Sequence, residues 1–446
     1  MFDNAYVKKR LLKYSERLRK EPVFSKILEL EKNQFSSPEE INRKQLIKIK
    51  NLLSFAYSNS VFYKNVFKQY GLTPDDINTI KDFEAFPVLT KDIIKENIES
   101  IICKRVKNFP VKTSGSTGRP LNFFKDRIAS AYSYAAMYRG HRWHGVDICD
   151  KEAYLWGIPL NKNEFYTAKI KDFILNRFRE KKFNLTDDVN YHFYNKMIKT
   201  KPKILSGYAT LIYEFAQFVK SKNLNMEPIK LKMVKYTAEM MHDFQKEVIK
   251  SVFSCPVISE YGSAETGIVA FECSKGSNHL LTDCVHHEFK KDEDSGFYKI
   301  IITNLNSYGF PIIKYDTGDL VKSDKLSACS CDLPFPVMDT IIGRRNDIII
   351  TPEGKRIHSN IFSYIIKDLL KKHKMLNQVR FIQTEVKELK VLISLSDNTK
   401  YEKVCAEIKK HTRERISRTI NLVFEYQEKL DRDESGKLRY FYSMIN

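Results

Sequence analysis

Short apolar stretches alternate with helical ones through the middle of the chain, and this alternation narrows the fold before any motif is considered. Ala153-Tyr-Leu-Trp-Gly157, Ile204-Leu-Ser-Gly207, Met233-Val-Lys-Tyr236 and Pro256-Val-Ile-Ser259 have the length and composition of strands. Thr210 to Ser221 and Asp243 to Phe253 carry the apolar period of helices. Strands separated by helices predict a parallel sheet of the α/β class, with ligands held at the carboxyl ends of the strands.

The flanks of this region read differently. Residues 1 to about 100 are helical in period: in Gln45 to Phe55 the positions Leu46, Ile49, Leu52, Leu53 and Phe55 form one stripe, and Asp76 to Ile80 and Lys91 to Ile102 continue in the same style. No Gly/Ser/Pro linker separates this segment from Thr113, so it is expected to belong to the same domain as the sheet. Phe297 to Thr303, Pro311 to Lys314 and Leu320 to Lys322 read as short strands of an antiparallel subdomain. Beyond Asp347 the pattern is α+β, with a helix at Asn360 to Lys372 (Ile361, Ile365, Ile366 and Leu369 on one face), a hairpin at Val379 to Thr384 and Leu389 to Ser394, and a helix at Tyr401 to Ser417. The expected organisation is a large domain over 1–343, a hinge at 344–347 and a small domain over 348–446.

Charge and cysteine usage exclude several function classes. The net charge of 75 − 55 = +20 invites a polyanion-binding reading. The lysines, however, are scattered among Ile, Asn, Phe and Tyr and form no long block, so nucleic acid is not the expected partner. An acidic substrate or the inner face of a membrane could still benefit from the charge. Met1 to Lys20 is interrupted by charges throughout, unlike a signal peptide, and no apolar run reaches spanning length. The expected location is the cytoplasm. Eight cysteines in such a chain do not argue for a disulfide framework. Cys103, Cys149, Cys255 and Cys405 read as single buried small residues.

The chemistry is concentrated in five stretches. Thr113-Ser114-Gly115-Ser116-Thr117-Gly118-Arg119-Pro120 offers hydroxyls, backbone N–H groups and small residues that let a backbone approach phosphate oxygens. Arg119-Pro120 stands where the Walker pattern needs Lys-Ser or Lys-Thr, which disfavours a P-loop NTPase. Tyr261-Gly262-Ser263-Ala264-Glu265 follows the strand at 256–259. Tyr315-Asp316-Thr317-Gly318-Asp319 and Ile342-Gly343-Arg344-Arg345-Asn346-Asp347 come next, and Ser435-Gly436-Lys437 stands near the end.

These stretches, in this order, resemble the acyl-adenylating superfamily of acyl-CoA synthetases and nonribosomal adenylation domains. The segments AYSNSVFYKNVF at Ala56 to Phe67 and FPVLTKDII at Phe86 to Ile94 look most like its phenylacetate-CoA ligase branch, including the capsule-biosynthesis type. The resemblance runs from about residue 40 to the end. It implies a large N-terminal AMP-binding domain with parallel sheets and a β subdomain, followed by a small mobile α+β domain.

Adenylation brings a carboxylate to the α-phosphate of ATP, anion to anion, so the site must neutralise charge and hold both groups in line. By resemblance, Thr113, Ser114, Gly115, Ser116, Thr117 and Gly118 clamp the β- and γ-phosphates, while Tyr261 and Gly262 flank adenine. Glu265 helps hold Mg²⁺, Asp319 accepts from the ribose hydroxyls, and Arg344 contacts the ribose or phosphate region. Lys437 bridges the α-phosphate and the acyl oxygen. Two departures stand out: Arg119 occupies a position where many relatives carry Lys, and the hinge aspartate is either Asn346 by position or Asp347 by residue type.

Cys273, His279, Cys329 and Cys331 suit a closed tetrahedral zinc site of structural type, an arrangement often met in the same branch. Cys284, His286 and His287 are the competing ligands, and unrelated free cysteines are the alternative.

The expected activity uses ATP and Mg²⁺ to turn a small carboxylic acid into an acyl-AMP and then transfers the acyl group. The acceptor is an amine or sugar precursor of a surface polysaccharide, with the thiol of CoA as the alternative. A non-catalytic accessory protein of polysaccharide assembly is the reading from another class. The acid pocket draws on aromatic side chains such as Tyr132, Trp143, Trp156, Tyr208 and Tyr236.

Overall fold

The computed structural model describes residues 5–113, 121–156, 162–180, 185–345, 347–373, 375–432 and 438–445. The chain divides into two compact units: Met1–Phe289 with Ile300–Thr317 and Asp324–Asp339, and Lys290–Lys299 with Gly318–Ser323 and Thr340–Asn446.

The first unit opens with helices α1 (Ala5–Arg19), α2 (Val23–Asn33), α3 (Pro38–Asn59), α4 (Val61–Gln69), α5 (Ile80–Glu84) and α6 (Lys91–Ile101). Local chemistry sets their starts. The Ser37 side chain accepts from the Glu40 N–H while Pro38, Glu39 and Glu40 fill the first turn of α3, and Thr90 caps α6 by accepting from Ile93. The stretch around Asp76 forms only a single 3₁₀ turn at Pro74–Asp76. Ile49, Leu53, Tyr63, Phe67 and Phe83 of these helices, with Phe86 and Leu89 between α5 and α6, pack in one cluster with Leu305, Phe310, Ile312 and Tyr315. The N-terminal helices thus form the bed of the Tyr315 segment.

Strands β1 (Asn108–Lys112) and β2 (Asn122–Asp126) pair as an antiparallel hairpin, and α7 (Arg127–Arg142) follows at once. The central sheet adds β3 (Glu152–Leu155), β4 (Arg177–Arg179), β5 (Ile204–Tyr208), β6 (Met233–Thr237), β7 (Val257–Ser263), β8 (Gly267–Glu272) and β9 (Asn278–Leu280). Their order is β4-β3-β5-β6-β7-β8-β9, parallel from β4 to β7 and antiparallel thereafter. Helices α8 (Lys162–Ile174), α9 (Asp187–Thr200), α10 (Ala209–Ser221) and α11 (Asp243–Phe253) connect the parallel strands. Leu205, Val234 and Val257 of the strands pack with Ile212, Phe215, Ala216, Val219 and Ile249 of the helices. Each such large apolar side chain contributes about 1.5–3 kcal/mol on leaving water.

A four-stranded sheet takes β10 (Val285–Lys291), β11 (Tyr298–Asn304), β12 (Tyr315–Val321) and β13 (Ile341–Arg344) in that order. Pro311 to Lys314 is not a strand: Lys314 has φ +48° and buries its side chain completely, which strand alternation does not provide. In the second unit β14 (Ile348–Ile350) and β15 (Arg356–His358) pair antiparallel. Helices α12 (Asn360–Lys372) and α13 (Tyr401–Arg415) accompany a sheet of β16 (Leu376–Glu385), β17 (Glu388–Leu395), β18 (Asn421–Tyr426) and β19 (Phe441–Ser443), ordered β18-β17-β16-β19. The architecture is α/β with parallel-containing sheets, and the C-terminal part is α+β.

Candidate functional site

In the first unit the phosphate-loop residues Ser114, Gly115, Ser116, Thr117 and Gly118, with Arg119, lie outside the described residues. Their frame is described. Thr113 extends the β1–β2 hairpin: its N–H donates to Leu121 O at 2.9 Å and its Oγ1 accepts from Leu121 N–H at 2.9 Å. Asp126, at the end of β2, caps α7 by accepting from Ala129 N–H at 2.8 Å. Its other oxygen accepts from the N–H groups of Tyr308 and Gly309 at 3.1 and 2.8 Å. A Cβ at position 309 would lie 2.1 Å from Asn108 Oδ1 and 2.9 Å from Asp126 Cβ, so a larger residue there would displace these side chains. The end of β2 is thereby tied both to the start of α7 and to the backbone at Tyr308 and Gly309.

Tyr261 and Gly262 lie on β7, where the chain turns back into β8 through a bulge at Tyr261/Gly262. A Cβ on Gly262 would meet the carbonyl oxygen of Gly267 at 2.2 Å, so this glycine is required by strand approach whatever else it touches. Glu265 sits in the turn between the two strands, which the Ser263 and Thr266 hydroxyls tie together at 3.0 Å. The residue is 8% exposed, and the Tyr315 hydroxyl stands 3.4 Å from Oε1. Tyr315, which opens the third motif, bridges in parallel to Leu89 of the FPVLTKD stretch; Leu89 N–H donates to Lys314 O and Asp316 N–H to Leu89 O, each at 2.9 Å. Two motifs far apart in sequence are thereby brought to one place.

Two lysines of this region carry no sequence signal. Lys125 on β2 donates to Ser133 Oγ at 3.1 Å and reaches the Ala264 carbonyl at 3.4 Å. Burial pulls its ammonium below the usual lysine range, against the opposing effect of Tyr134, Asp126 and Glu265. Lys314 is fully buried and donates to the carbonyls of Phe83 and Glu84 at 3.2 and 2.6 Å; it also pairs with Glu288 at 2.8 Å. In a chain with 75 basic residues, neither stands out by composition.

The aromatic candidates separate. Trp156 and Tyr208 touch, with ring centroids 4.1 Å apart, and Tyr154 stacks on Trp156. Tyr236 is half-buried at the end of β6. Tyr132 turns to α2 and donates to Glu29 Oε1 at 2.5 Å. Trp143 donates to Gln34 at 3.0 Å and packs on Phe271, His279 and Phe335.

That packing borders the cysteine cluster. The ligand atoms of Cys273, His279, Cys329 and Cys331 all lie within 4.8 Å of one another. Cys273 stands at the end of β8, in a turn closed by its N–H to Ser277 O at 2.9 Å, and His279 on β9 pairs with Val337 of the returning segment. The Cys273 and Cys329 sulfurs are 3.8 Å apart, the edge of a tetrahedron with Zn–S bonds of about 2.3 Å. His279 Nδ1 is 2.7 Å from the Phe335 carbonyl. A proton on Nδ1 donates there and leaves Nε2, which is 3.1 Å from Cys331 Sγ, as the metal-binding lone pair. A hydrogen bond with Ser277 pulls the Cys329 thiol down from its ordinary range, while burial pushes the neighbouring Cys331 thiol up. The competing ligands are placed elsewhere. His286 Nδ1 bonds Gln45 Oε1 at 2.9 Å, burial pulls His286 to about 3 and His287 to about 4, and Cys284 is buried outside the group of four.

In the second unit Asp319 and Arg344 are register partners of β12 and β13, with Arg344 Nε 2.8 Å from Asp319 Oδ1. The Arg344 carbonyl faces His358 Nε2 at 2.9 Å and accepts from Asp347 N–H at 3.0 Å. Burial raises the Asp347 carboxyl above the usual range, against the nearby charge of Arg439 at 3.8 Å. Asn346 and Lys437 lie outside the described residues. The residues on either side of 433–437 are anchored: Leu430 and Leu438 pack in one cluster with Leu392, and Arg380 donates to the carbonyls of Asp431 and Arg439.

Residues 349–443 match the family model of the CapK C-terminal domain. The chain is 23% identical over 402 residues to Protein CapK of Staphylococcus aureus, covering 87% of this chain and 86% of that one. It is 24% identical over 300 residues to the indoleacetate–lysine synthetase of Pseudomonas savastanoi, covering 62% and 73%. Identity is 21% over 380 residues to a phenylacetate-coenzyme A ligase of Pseudomonas putida, covering 77% and 78%. Among solved structures, 2-hydroxyisobutyryl-CoA ligase in the postadenylation state with R3-HIB-AMP superposes with a TM-score of 0.71 at 17% identity, covering 93% of this chain and 91% of that one.

Proposed function

We propose a function from this premise: the chain is a homologue of CapK and of phenylacetate-coenzyme A ligases and has the fold of acyl-adenylating ligases. It is an adenylate-forming ligase that activates a carboxylic acid with ATP and passes the acyl group to an amine or sugar-linked acceptor. One carboxylate oxygen attacks the α-phosphorus and pyrophosphate leaves; the acceptor nucleophile then attacks the acyl carbonyl and AMP leaves with that oxygen. The observation that carries this reading is Glu265. Its carboxylate, on a residue 8% exposed and with the Tyr315 hydroxyl at 3.4 Å, lies where the second and third motifs meet and suits a divalent cation.

When bound, Mg²⁺ would supply charge neutralisation of the phosphates. The chain's own groups do the rest. Thr113 to Gly118 donate to the β- and γ-phosphates, and Tyr261 with Gly262 flanks adenine. Asp319 accepts from the ribose hydroxyls, with Arg344 at 2.8 Å fixing its orientation. Lys437 stabilises the charge that develops between the acid and the α-phosphate. Cys273, His279, Cys329 and Cys331 hold one Zn²⁺ in a closed, structural role. Residues 1–343 form the adenylating domain, 344–347 the hinge and 348–446 the mobile domain, acting in the cytoplasm.

The amine reading rests on the similarity to an indoleacetate–lysine synthetase, and the sugar reading on the resemblance of the entry segments to the capsule-biosynthesis type. CoA is the second reading, supported by similarity to the coenzyme A ligases. Pyrophosphate release is to be measured with a panel of carboxylic acids, with and without CoA, small amines and amino sugars. Release that needs an acid and Mg²⁺, followed by amide formation, is expected. Release independent of every acid would overturn adenylation, and rapid acyl-CoA formation with no amide would transfer the assignment to CoA.

A further inference from the structure

Helices α1 and α8 turn large apolar side chains outward. On α1 Tyr6, Tyr14 and Leu18 are 64%, 65% and 69% exposed, and on α8 Tyr166, Ile170 and Phe173 are 61%, 62% and 51% exposed. The helices adjoin, since Lys8 Nζ lies 3.0 Å from the centroid of the Phe173 ring. Lys8, Leu12 and Glu16 form the buried side of α1. At 3.6 residues per turn, Tyr6, Arg10, Lys13, Tyr14, Arg17 and Leu18 share an arc of about 140° on the other side.

The cations of that arc stand outside the ion pairs that tie down their neighbours. Lys9 and Arg19 are matched by Asp147 and Glu21. Among the described residues, Arg10, Lys13 and Arg17 have no carboxylate within ion-pair distance; Arg10 lies over Tyr6 and Lys13 over Phe24. On α8 Lys169 is exposed, while Asp172 is buried against Arg177 and Arg179. The outward surface is thus cationic and aromatic together. A nucleic acid would match the charge and leave Leu18 and Ile170 without a role. An acyl-chain boundary under anionic headgroups accepts both kinds of side chain, because tyrosines and aliphatics enter the boundary while Lys and Arg reach the lipid phosphates. No helix of the described residues is long and apolar enough to cross a membrane.

We propose that the outward faces of α1 and α8 form a docking surface for an anionic lipid bilayer, on which the protein lies without inserting. Tyr6, Tyr14, Leu18, Tyr166 and Ile170 supply the apolar contact, and Arg10, Lys13 and Arg17 the charge. The inference does not depend on the reaction the protein performs.

Co-sedimentation with vesicles of phosphatidylcholine alone and of phosphatidylcholine with phosphatidylglycerol, at low and high salt, tests it. The parent protein is expected to bind the anionic vesicles and to release in part as salt rises, the apolar contact holding the remainder. Each cation near an anionic surface strengthens binding roughly fivefold, so Arg10→Glu/Lys13→Glu/Arg17→Glu should weaken it on the order of a hundredfold or more. Tyr14→Ser/Leu18→Ser/Ile170→Ser should abolish the binding that survives at high salt. All six positions are exposed, and unchanged thermal melting serves as the control for folding. Absence of binding to anionic vesicles, or variants that bind like the parent, would overturn the proposal. So would a change in oligomeric mass with unchanged vesicle binding, which would identify the face as a self-association surface.

Discussion

Replacing Lys314 by Met removes the cation beneath the Tyr315 segment and should cost more than most single substitutions. The ammonium is fully buried, donates to two carbonyls at 3.2 and 2.6 Å, and pairs at 2.8 Å with Glu288, whose side chain is 8% exposed. Met fills a similar volume, and the backbone strain of φ +48° is common to both residues, so packing and strain largely cancel. The charge remains. Breaking a buried pair by removing one member costs about 3–5 kcal/mol, because the other member stays buried without its partner. With a urea slope of roughly 1–3 kcal/mol/M, the first unfolding midpoint should fall by at least about 1 M. Adding Glu288→Leu removes the carboxylate that has lost its lysine, and the double variant should recover part of the loss. A midpoint within about 0.3 M of the parent, or a double variant no more stable than the single, would refute the reasoning.

Three further outcomes are expected. Purified protein should carry about one equivalent of zinc, and Cys329→Ala/Cys331→Ala should lose it; undiminished zinc by metal analysis would reject the four-ligand site. Lys437→Ala should lower acid-dependent pyrophosphate exchange roughly 10²–10³-fold while sparing transfer from a supplied acyl-AMP, and equal damage to both half-reactions would reject a role confined to adenylation. Burial of Glu16 raises its pKa from 4.5 to about 7, so the stability this group contributes is fully present below pH 4.5, where the carboxyl is protonated folded and unfolded alike, and is lost as pH rises through 7. Glu16→Gln should therefore stabilise the protein more at pH 8 than at pH 5, and a pH-independent difference between the two melting curves would contradict the shift.

Elements whose apolar residues follow one period were legible in the sequence. The helices at Asp243–Phe253 and Asn360–Lys372 form at the expected residues because their buried stripes need no partner to be seen. Strand β12 was legible only at its end: Asp316, Gly318 and Asp319 interrupt the alternation, yet the strand runs from Tyr315 to Val321. Pro311 to Lys314 erred the other way, since a left-handed residue and an inward lysine leave no trace in an apolar count. The cysteine cluster was visible because thiol and imidazole side chains announce their chemistry. Lys125 and the Lys314–Glu288 pair were not, because a lysine reads alike in water and in a core, and its partner is set by the fold.

The central claim, attack of a carboxylate on the α-phosphorus of ATP, is tested most directly by an ¹⁸O-labelled acid. With an acid that supports turnover, one labelled oxygen should be found in AMP after acyl transfer, with none in pyrophosphate. Label in inorganic phosphate, released with ADP, would mean an acyl phosphate formed at the γ-phosphorus and would contradict the account.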